Sequence, residues 1–300
     1  MTAVFPKISV VTITYGHEKY IRETLDGVMM QQYPGPVEFI IANDNSPDNT
    51  DEVVKNYFNE KPAPENFEIK YTRHAVNKGM SENFVWALQQ STGKYIAFCE
   101  GDDYWTDGLK LYTQVSFLEL KADYVLCFTN RNILDNGIVE ISKPICEKQT
   151  FDISEIPSGY VPTLTAVFRN VVAEIPPKMS ATLIDSSLFL FLSQYGSFYY
   201  MDVPTAIYRV HEGGIYSGSS QLRNYKRSVE ARMAAWRHLK NIDKIKLTYV
   251  IRFWNDLKKS AAIKDKDYFT IIECITLDRF LDSYILARNI YNKIKFNKNK

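Results

Sequence analysis

The chain has 300 residues, 45% of them hydrophobic and 14% aromatic, which is enough apolar surface for a packed core and too much for wholesale disorder. Lys and Arg total 36 against 35 Asp and Glu, and the net charge of +1 excludes a generally cationic nucleic-acid binder. The cysteines Cys99, Cys127, Cys146 and Cys274 are far apart and form no CxxC pair, so neither a disulfide framework nor a zinc ribbon is expected. Reduced thiols in a cytoplasmic protein are the simplest reading. The opening shows no charged segment followed by an apolar stretch, and no run of about 18 apolar residues occurs anywhere, so a soluble chain is expected.

Ile8 to Ile13 is short and β-branched, the pattern of a buried strand. Thr14-Tyr15-Gly16-His17 reads as a turn, after which Tyr20, Ile21, Leu25, Val28 and Met29 recur at helical spacing. A second strand, Val37 to Ala42, ends in the polar run Asn43 to Thr50, whose residues suit a turn and the cap of a helix carrying Val53, Val54 and Tyr57. Phe67 to Thr72 alternates as a third strand, Met80 to Gln90 is helical, and Tyr95 to Cys99 is a fourth strand. Strands alternating with helices in this way imply parallel crossovers and an open α/β sheet flanked by helices.

The second half is less regular. Leu109 to Leu120 predicts a helix, Tyr124 to Asn130 a strand, and residues 131 to 160 are loop-rich. Strands are expected at Thr163 to Phe168, Phe198 to Met201 and Thr205 to Val210, and a strongly apolar helix over Thr182 to Phe191 with Asp185 in its first turn. Residues 213 to 220 are rich in Gly and Ser and suit a mobile loop able to close over a ligand. From Gln221 onward only helical spacing is convincing, as in Leu222, Tyr225, Val229, Met233, Trp236 and Leu239. The division implied is a domain over 1 to 220, with halves meeting near 120, and a helical C-terminal region over 221 to 300. That region is a candidate for dimerisation, and its basic end, 283 to 300, is a candidate for peripheral contact with the inner face of a membrane.

In open α/β sheets, ligands lie beyond the carboxyl ends of the strands. Thr14 and Tyr15 follow the first strand, Asp44 the second, and Glu100, Gly101, Asp102 and Asp103 the fourth. An aromatic ring can stack on a base and a carboxylate can accept from an imide N–H. Clustered carboxylates suit a hard divalent cation, which in turn binds a diphosphate. Asp44 can equally serve as a cap for its own turn. Three acidic residues within four positions repel one another without a counter-ion, which favours a cation there. Downstream, Arg209 and His211 alternate at a strand end before Gly213-Gly214, so both can face one crevice.

These residues resemble glycosyltransferase family 2 with the GT-A fold. The resemblance rests on Ser9 to Tyr15, Ile40 to Ser46, Asn77-Lys78-Gly79, Gly93 to Phe98 and Glu100 to Trp105, in that order. It is close over residues 5 to 120 and looser to about 215. It implies Thr14, Tyr15 and Asp44 around a nucleotide, with Asp44 facing the base. Asp102 would be the ligand of Mn2+ or Mg2+ in a DxD-type motif, with Glu100 in the first acidic place and Asp103 beside it. Lys78 is the candidate cation toward the diphosphate, because Asn83-Phe84-Val85 stands where many relatives carry an Arg-Asn pair. His211 would touch metal or diphosphate, and Arg209 would either support it or donate to phosphate.

The resemblance also implies an inverting single displacement with Asp185 as the base. On residue chemistry alone, Asp185 would merely stabilise its helix start. The expected substrates are a nucleotide-diphosphate sugar, UDP- or dTDP-linked, and a glycan or lipid-linked acceptor hydroxyl, in polysaccharide or cell-surface glycan synthesis. A dinucleotide oxidoreductase is disfavoured because the first turn lacks GxGxxG. A sugar nucleotidyltransferase would carry a Gly-rich basic loop there. A non-catalytic nucleotide-sugar binding protein is the alternative that keeps Asp44 and Asp102 without a competent base.

Overall fold

A computed structural model describes residues 5–145, 147–151, 161–176, 179, 184–214, 218–240 and 242–298, with side chains described up to 292. The first half runs β1 (Ile8–Thr14), α1 (Ile21–Met29), β2 (Val37–Asn43), α2 (Thr50–Glu60), β3 (Phe67–Arg73), α3 (Met80–Gln89) and β4 (Tyr95–Phe98). The four strands lie in the order β3-β2-β1-β4 and all pair in parallel. Adjacent residues point to opposite faces of a strand, and both faces here are covered. Val10, Phe39, Ile41, Tyr95 and Ala97 pack with Leu25, Tyr57 and Val115 on one face. Val11, Ile40, Ala42, Ile96 and Phe98 pack with Phe84, Leu88 and Phe191 on the other. The unbroken apolar runs in the sequence therefore reflect two cores that share one sheet.

The sheet continues through β5 (Tyr104–Trp105), α4 (Lys110–Leu120), β6 (Tyr124–Asp135), β7 (Ile138–Glu140), β8 (Thr150–Phe151), β9 (Val167–Arg169), α5 (Asp185–Leu192) and β10 (Ser197–Val210). Its order beyond β4 is β9-β6-β10-β5, with β9 antiparallel to both neighbours and β6 parallel to β10. The sheet is thus parallel on the first side and mixed on the second.

The structure differs from the sequence expectation in several places: β5 is not among the expected strands, β6 runs on to Asp135, and β7 and β8 form in the segment expected as loop. Thr163–Thr165 forms a single 3₁₀ turn before β9, closed by Thr165 N–H to Pro162 O at 2.9 Å and by the Thr165 hydroxyl to Thr129 O at 3.0 Å. The two strands expected on either side of Pro204 are one long β10 whose register against β6 shifts at Pro204, where proline removes a ladder donor. The expected helix start at 182 and part of the expected closing loop, 215–217, lie outside the described residues.

Three helices follow, α6 (Gln221–His238), α7 (Lys244–Lys264) and α8 (Tyr268–Lys298). Ser220 Oγ accepts from Arg223 N–H and Asp243 from Ile245 and Lys246 N–H, so two of the helix starts are capped. Val229, Met233, Leu247, Ile251 and Leu281 join the core cluster that holds Phe98 and Phe191, so these helices continue the core. Among the described residues no helix is long and apolar enough to cross a membrane.

One buried cation stands out beneath the fourth strand's exit loop. Lys110, the first residue of α4, is 0% exposed, sits 4.3 Å from the Trp105 ring centroid and has no hydrogen-bond partner for Nζ among the described residues. Burial pushes its pKa down from 10.5 to about 7, against the opposing pull of Cys99, Cys127 and Asp107. Between those two values the unfolded chain binds a proton that the folded chain does not, so the cost to folding grows as pH falls from 10.5 toward 7. Lys110→Met is therefore expected to raise stability in urea unfolding by roughly 2–4 kcal/mol near pH 7, at about 1.4 kcal/mol per pKa unit. The gain should shrink toward pH 10; an equal gain or a loss at both pH values would contradict a buried neutral lysine.

Candidate active site

The loops after β1, β2 and β4 are knitted into one surface by their backbones. Asp44 N–H donates to Thr14 O at 2.9 Å, and Gly101 N–H donates to Ile13 O at 3.0 Å. The turn after β1 is fixed from the next loop. Gly16, at φ +74°, donates its N–H to Ser46 Oγ at 3.0 Å, and His17 N–H donates to Thr50 Oγ1 at 2.9 Å. Gly101 cannot carry a side chain, because a Cβ would lie 2.6 Å from Thr14 Oγ1 and 2.9 Å from His17 Nδ1. That close approach presses the acidic loop against the β1 turn.

Asp102 lies at the focus of this contact. Its Oδ2 is 3.1 Å from His211 Nε2 and 3.8 Å from His17 Nε2. The ligand atoms of His17, Asp102 and His211 all lie within 4.8 Å of one another. His17 Nδ1 is 3.1 Å from Thr14 Oγ1, a bond that lets Nδ1–H donate and leaves the Nε2 lone pair facing Asp102. Burial lowers the pKa of His17, with His211 adding to that and Asp102 opposing it, so the neutral ligand form is favoured. Asp102 is largely shielded, which raises its carboxyl, but its bond to His211 and the neighbouring imidazoles hold it below the usual range.

Two imidazoles and one carboxylate form a donor set that suits a divalent transition ion such as Mn2+. Glu100 supplies a further observation in favour of a guest. Its Oε2 is buried with no hydrogen-bond partner among the described residues, and burial together with the charges of Asp102 and Asp185 pushes its pKa up to about 8. An orphaned carboxyl beside the cluster is costly unless something binds there. These residues fit a metal ion: Asp102, His17 and His211 would hold it, with Glu100 next to it.

The other sequence candidates fall around this cluster in different ways. Asp103 is buried and turned away from the two histidines: its Oδ1 accepts from Arg209 N–H at 2.8 Å, its carbonyl accepts from Thr24 Oγ1 at 2.7 Å, and burial beside Asp102 and Glu100 raises its pKa well above normal. Arg209 donates Nε–H to Asp102 O at 3.0 Å and pairs with Glu23 at 2.5 Å, its guanidinium lying over the rings of Tyr20 and Tyr104. It braces the acidic loop from behind. Tyr20 stands 4.7 Å from the His211 ring as well, so one aromatic ring packs Arg209 at the end of β10 and His211 just past it, the two residues that reach Asp102.

Asp44 is 3% exposed, and its two oxygens accept from Lys78 N–H at 2.7 Å and Gly79 N–H at 2.9 Å. It thereby ties the start of α3 to the tip of β2 and brings the exposed Lys78 side chain to that edge. Tyr15 is 49% exposed at the tip of β1. Asp185 is exposed at the first position of α5, where Oδ2 accepts from Thr163 Oγ1 at 3.0 Å and Oδ1 from Ser186 N–H. Its charge is felt at Glu100, which puts it on the side of the acidic loop. Sequence reasoning passed over His17, Tyr20 and Thr163. Only His17 carried a local signal, a metal-binding side chain in the turn that leaves the first strand.

A family model described as glycosyl transferase family 2 matches residues 9–175. The chain belongs to this family. An uncharacterized protein of Mycobacterium tuberculosis is 32% identical over 212 residues, 70% of this chain and 60% of that protein, so the match spans about three fifths of that relative's length. The putative teichuronic acid biosynthesis glycosyltransferase TuaG of Bacillus subtilis is 27% identical over 221 residues, covering 72% of this chain and 84% of TuaG. Among solved structures, residues 1–349 of S. aureus TarS in complex with UDP-GlcNAc align with a TM-score of 0.60 at 17% identity, over 85% of this chain and 73% of that one. The mannosyltransferase PcManGT of Pyrobaculum calidifontis, in complex with GDP-Man and Mn2+, aligns at 0.62 with 15% identity, over 95% and 81% of the two chains. The structural likeness establishes the glycosyltransferase fold.

If His17 and His211 are ligands, each changed to Ala should weaken Mn2+ binding in calorimetry by at least about tenfold. Gly101→Ala should do the same without removing a ligand atom, because it displaces Thr14 and His17. Affinity within twofold of the parent in all three variants would contradict a site at this cluster.

Proposed function

We propose that the protein is an inverting glycosyltransferase that moves a sugar from a UDP- or dTDP-linked donor to a hydroxyl of a glycan or lipid-linked acceptor. The observation that carries this reading is the meeting of Asp102 with His17 and His211 at the strand tips, beside an unpartnered Glu100 and within electrostatic reach of Asp185. TarS with UDP-GlcNAc and PcManGT with GDP-Man and Mn2+ support a nucleotide-sugar donor and a divalent ion. TuaG supports a role in cell-surface polysaccharide synthesis.

When bound, the divalent ion supplies positive charge that offsets the charge developing on the departing diphosphate. The chain's own residues do the rest. Asp102, His17 and His211 fix the position of that charge, and Arg209 holds the backbone of Asp102 in place. Tyr15, half exposed beyond β1, offers a face on which a base can stack. Asp44 keeps lone pairs beyond the two N–H bonds it accepts and can take an imide N–H, the group that uracil and thymine share. Lys78 is at hand for a phosphate oxygen.

Asp185, oriented by Thr163 and its own neighbouring N–H, takes the proton from the acceptor hydroxyl as that oxygen attacks the anomeric carbon. The acceptor–carbon bond forms on the face opposite the leaving diphosphate, so a single displacement inverts the configuration. A scaffold that only binds the donor is distinguished by turnover. Asp185→Asn is expected to reduce transfer by at least about a hundredfold, within the range of general base catalysis, while leaving donor affinity within about twofold. A parallel loss of donor affinity would show that Asp185 serves binding, and a parent protein that binds UDP-sugars with Mn2+ yet neither transfers nor hydrolyses them would favour the scaffold.

A further inference from the structure

The last helix, α8, is apolar on two opposite faces. One face packs into the protein through Cys274 and Leu281, both 0% exposed. The other presents Tyr268, Ile272, Ile275, Leu286 and Ile290, each between 38% and 72% exposed, with the exposed Phe269 and Tyr291 on its flank and Phe280 turned against Trp236 at 5.5 Å. Tyr268, Ile272, Ile275, Leu286 and Ile290 fall at spacings of three and four, with Arg279 and Asp282 completing the row, so they form one stripe along the helix. Twenty-two steps from Tyr268 to Ile290 extend about 33 Å at 1.5 Å per residue. A helix apolar on both faces is stable in water only when both are covered.

We propose that this stripe is the interface of a two-fold dimer in which α8 packs antiparallel against α8 of a second copy. The charges in its middle select this occupant. Antiparallel pairing centred between Arg279 and Asp282 sets Arg279 of each copy against Asp282 of the other, Ile275 against Leu286, and Ile272 beside Ile290. Parallel pairing would instead set Arg279 against Arg279 and Asp282 against Asp282, a like-charge clash. Arg279 has no ion-pair partner among the described residues. Asp282 is half exposed and pairs with Arg252 from α7, and a carboxylate can accept a second cation.

The area agrees. At roughly 150–200 Å² of surface for a large apolar side chain, the exposed parts of the five stripe residues amount to roughly 500 Å² per copy, to which the flanking Phe269 and Tyr291 add about 200 Å², against about 800 Å² per partner in a stable interface. A lipid surface fits less well. Along the stripe, Tyr268 to Ile290, the helix carries Glu273, Asp278 and Asp282 against Arg279 and Arg288, and Lys293, Lys295 and Lys298 follow only past its end, whereas membrane-surface helices carry Lys and Arg along their length.

Sedimentation velocity of the full chain over a dilution series tests the interface. The parent should be dimeric, Ile272→Glu monomeric, and Arg279→Asp should weaken association at least about tenfold. Combining Arg279→Asp with Asp282→Arg should restore dimerisation, which a variant that merely fails to fold would not do. A parent that stays monomeric at every concentration, or a dimer unaffected by Ile272→Glu and Arg279→Asp, would overturn the proposal. Monomers that bind phosphatidylglycerol vesicles and lose that binding with Ile272→Glu would overturn it in favour of a membrane surface.

Discussion

The arrangement depends on one electrostatic constraint: three carboxylates, Glu100, Asp102 and Asp103, leave the same strand end within four residues, Asp103 buried and the other two largely shielded from solvent. Buried like charges repel, and the protein answers each case differently. Asp103 is raised toward its neutral form and accepts from a backbone N–H. Asp102 stays ionised between two imidazoles. Glu100 keeps a buried oxygen with no hydrogen-bond partner among the described residues and a pKa pushed up to about 8. A carboxylate held by the fold, one held by histidines and one without such a partner make a place suited to a cation.

The fold delivers that constraint by bringing distant segments to one point. The sheet places the tips of β1, β2 and β4 side by side. Gly101 lets the acidic loop touch Thr14 and His17, and β10 with the residue that follows it returns from the far side of the sheet to add Arg209 and His211. Glu23 on α1 and Tyr20 just before it then pack against Arg209 and His211 from behind. The residues of this cluster thus come from chain segments almost two hundred positions apart, held by a few short contacts. Most of the rest of the chain is core that keeps those contacts in register.

Much of this was legible in the sequence because its signals are local. β-Branched runs alternating with helical spacing mark β1 to β4 and their crossovers, and strand ends point to Thr14, Asp44 and the acidic loop without reference to anything distant. Asp185 was nameable only through the family resemblance, since its own surroundings read as a helix start. What escaped were pairings across long sequence separations. His17 acquires its meaning only when Asp102 arrives opposite it. The antiparallel insertion of the three-residue β9 between β4 and β6 leaves no periodic trace, and Thr163 looked like strand until Pro162 closed the turn. Asp103 is placed beside Asp102 through the family resemblance, and Arg209 is open between a supporting and a phosphate-binding role; in the structure Asp103 accepts from Arg209 N–H while Arg209 donates to Asp102 O and pairs with Glu23.

The central claim is that His17 and His211 coordinate a divalent ion together with Asp102. Electron spin echo envelope spectroscopy of the Mn2+-loaded protein reads this directly through the nuclear spin of ligating nitrogen. Two imidazole nitrogen couplings in the parent, falling to one in His17→Ala or His211→Ala, are predicted. An Mn2+ spectrum with no nitrogen coupling, from an ion bound only by oxygen, would contradict the account.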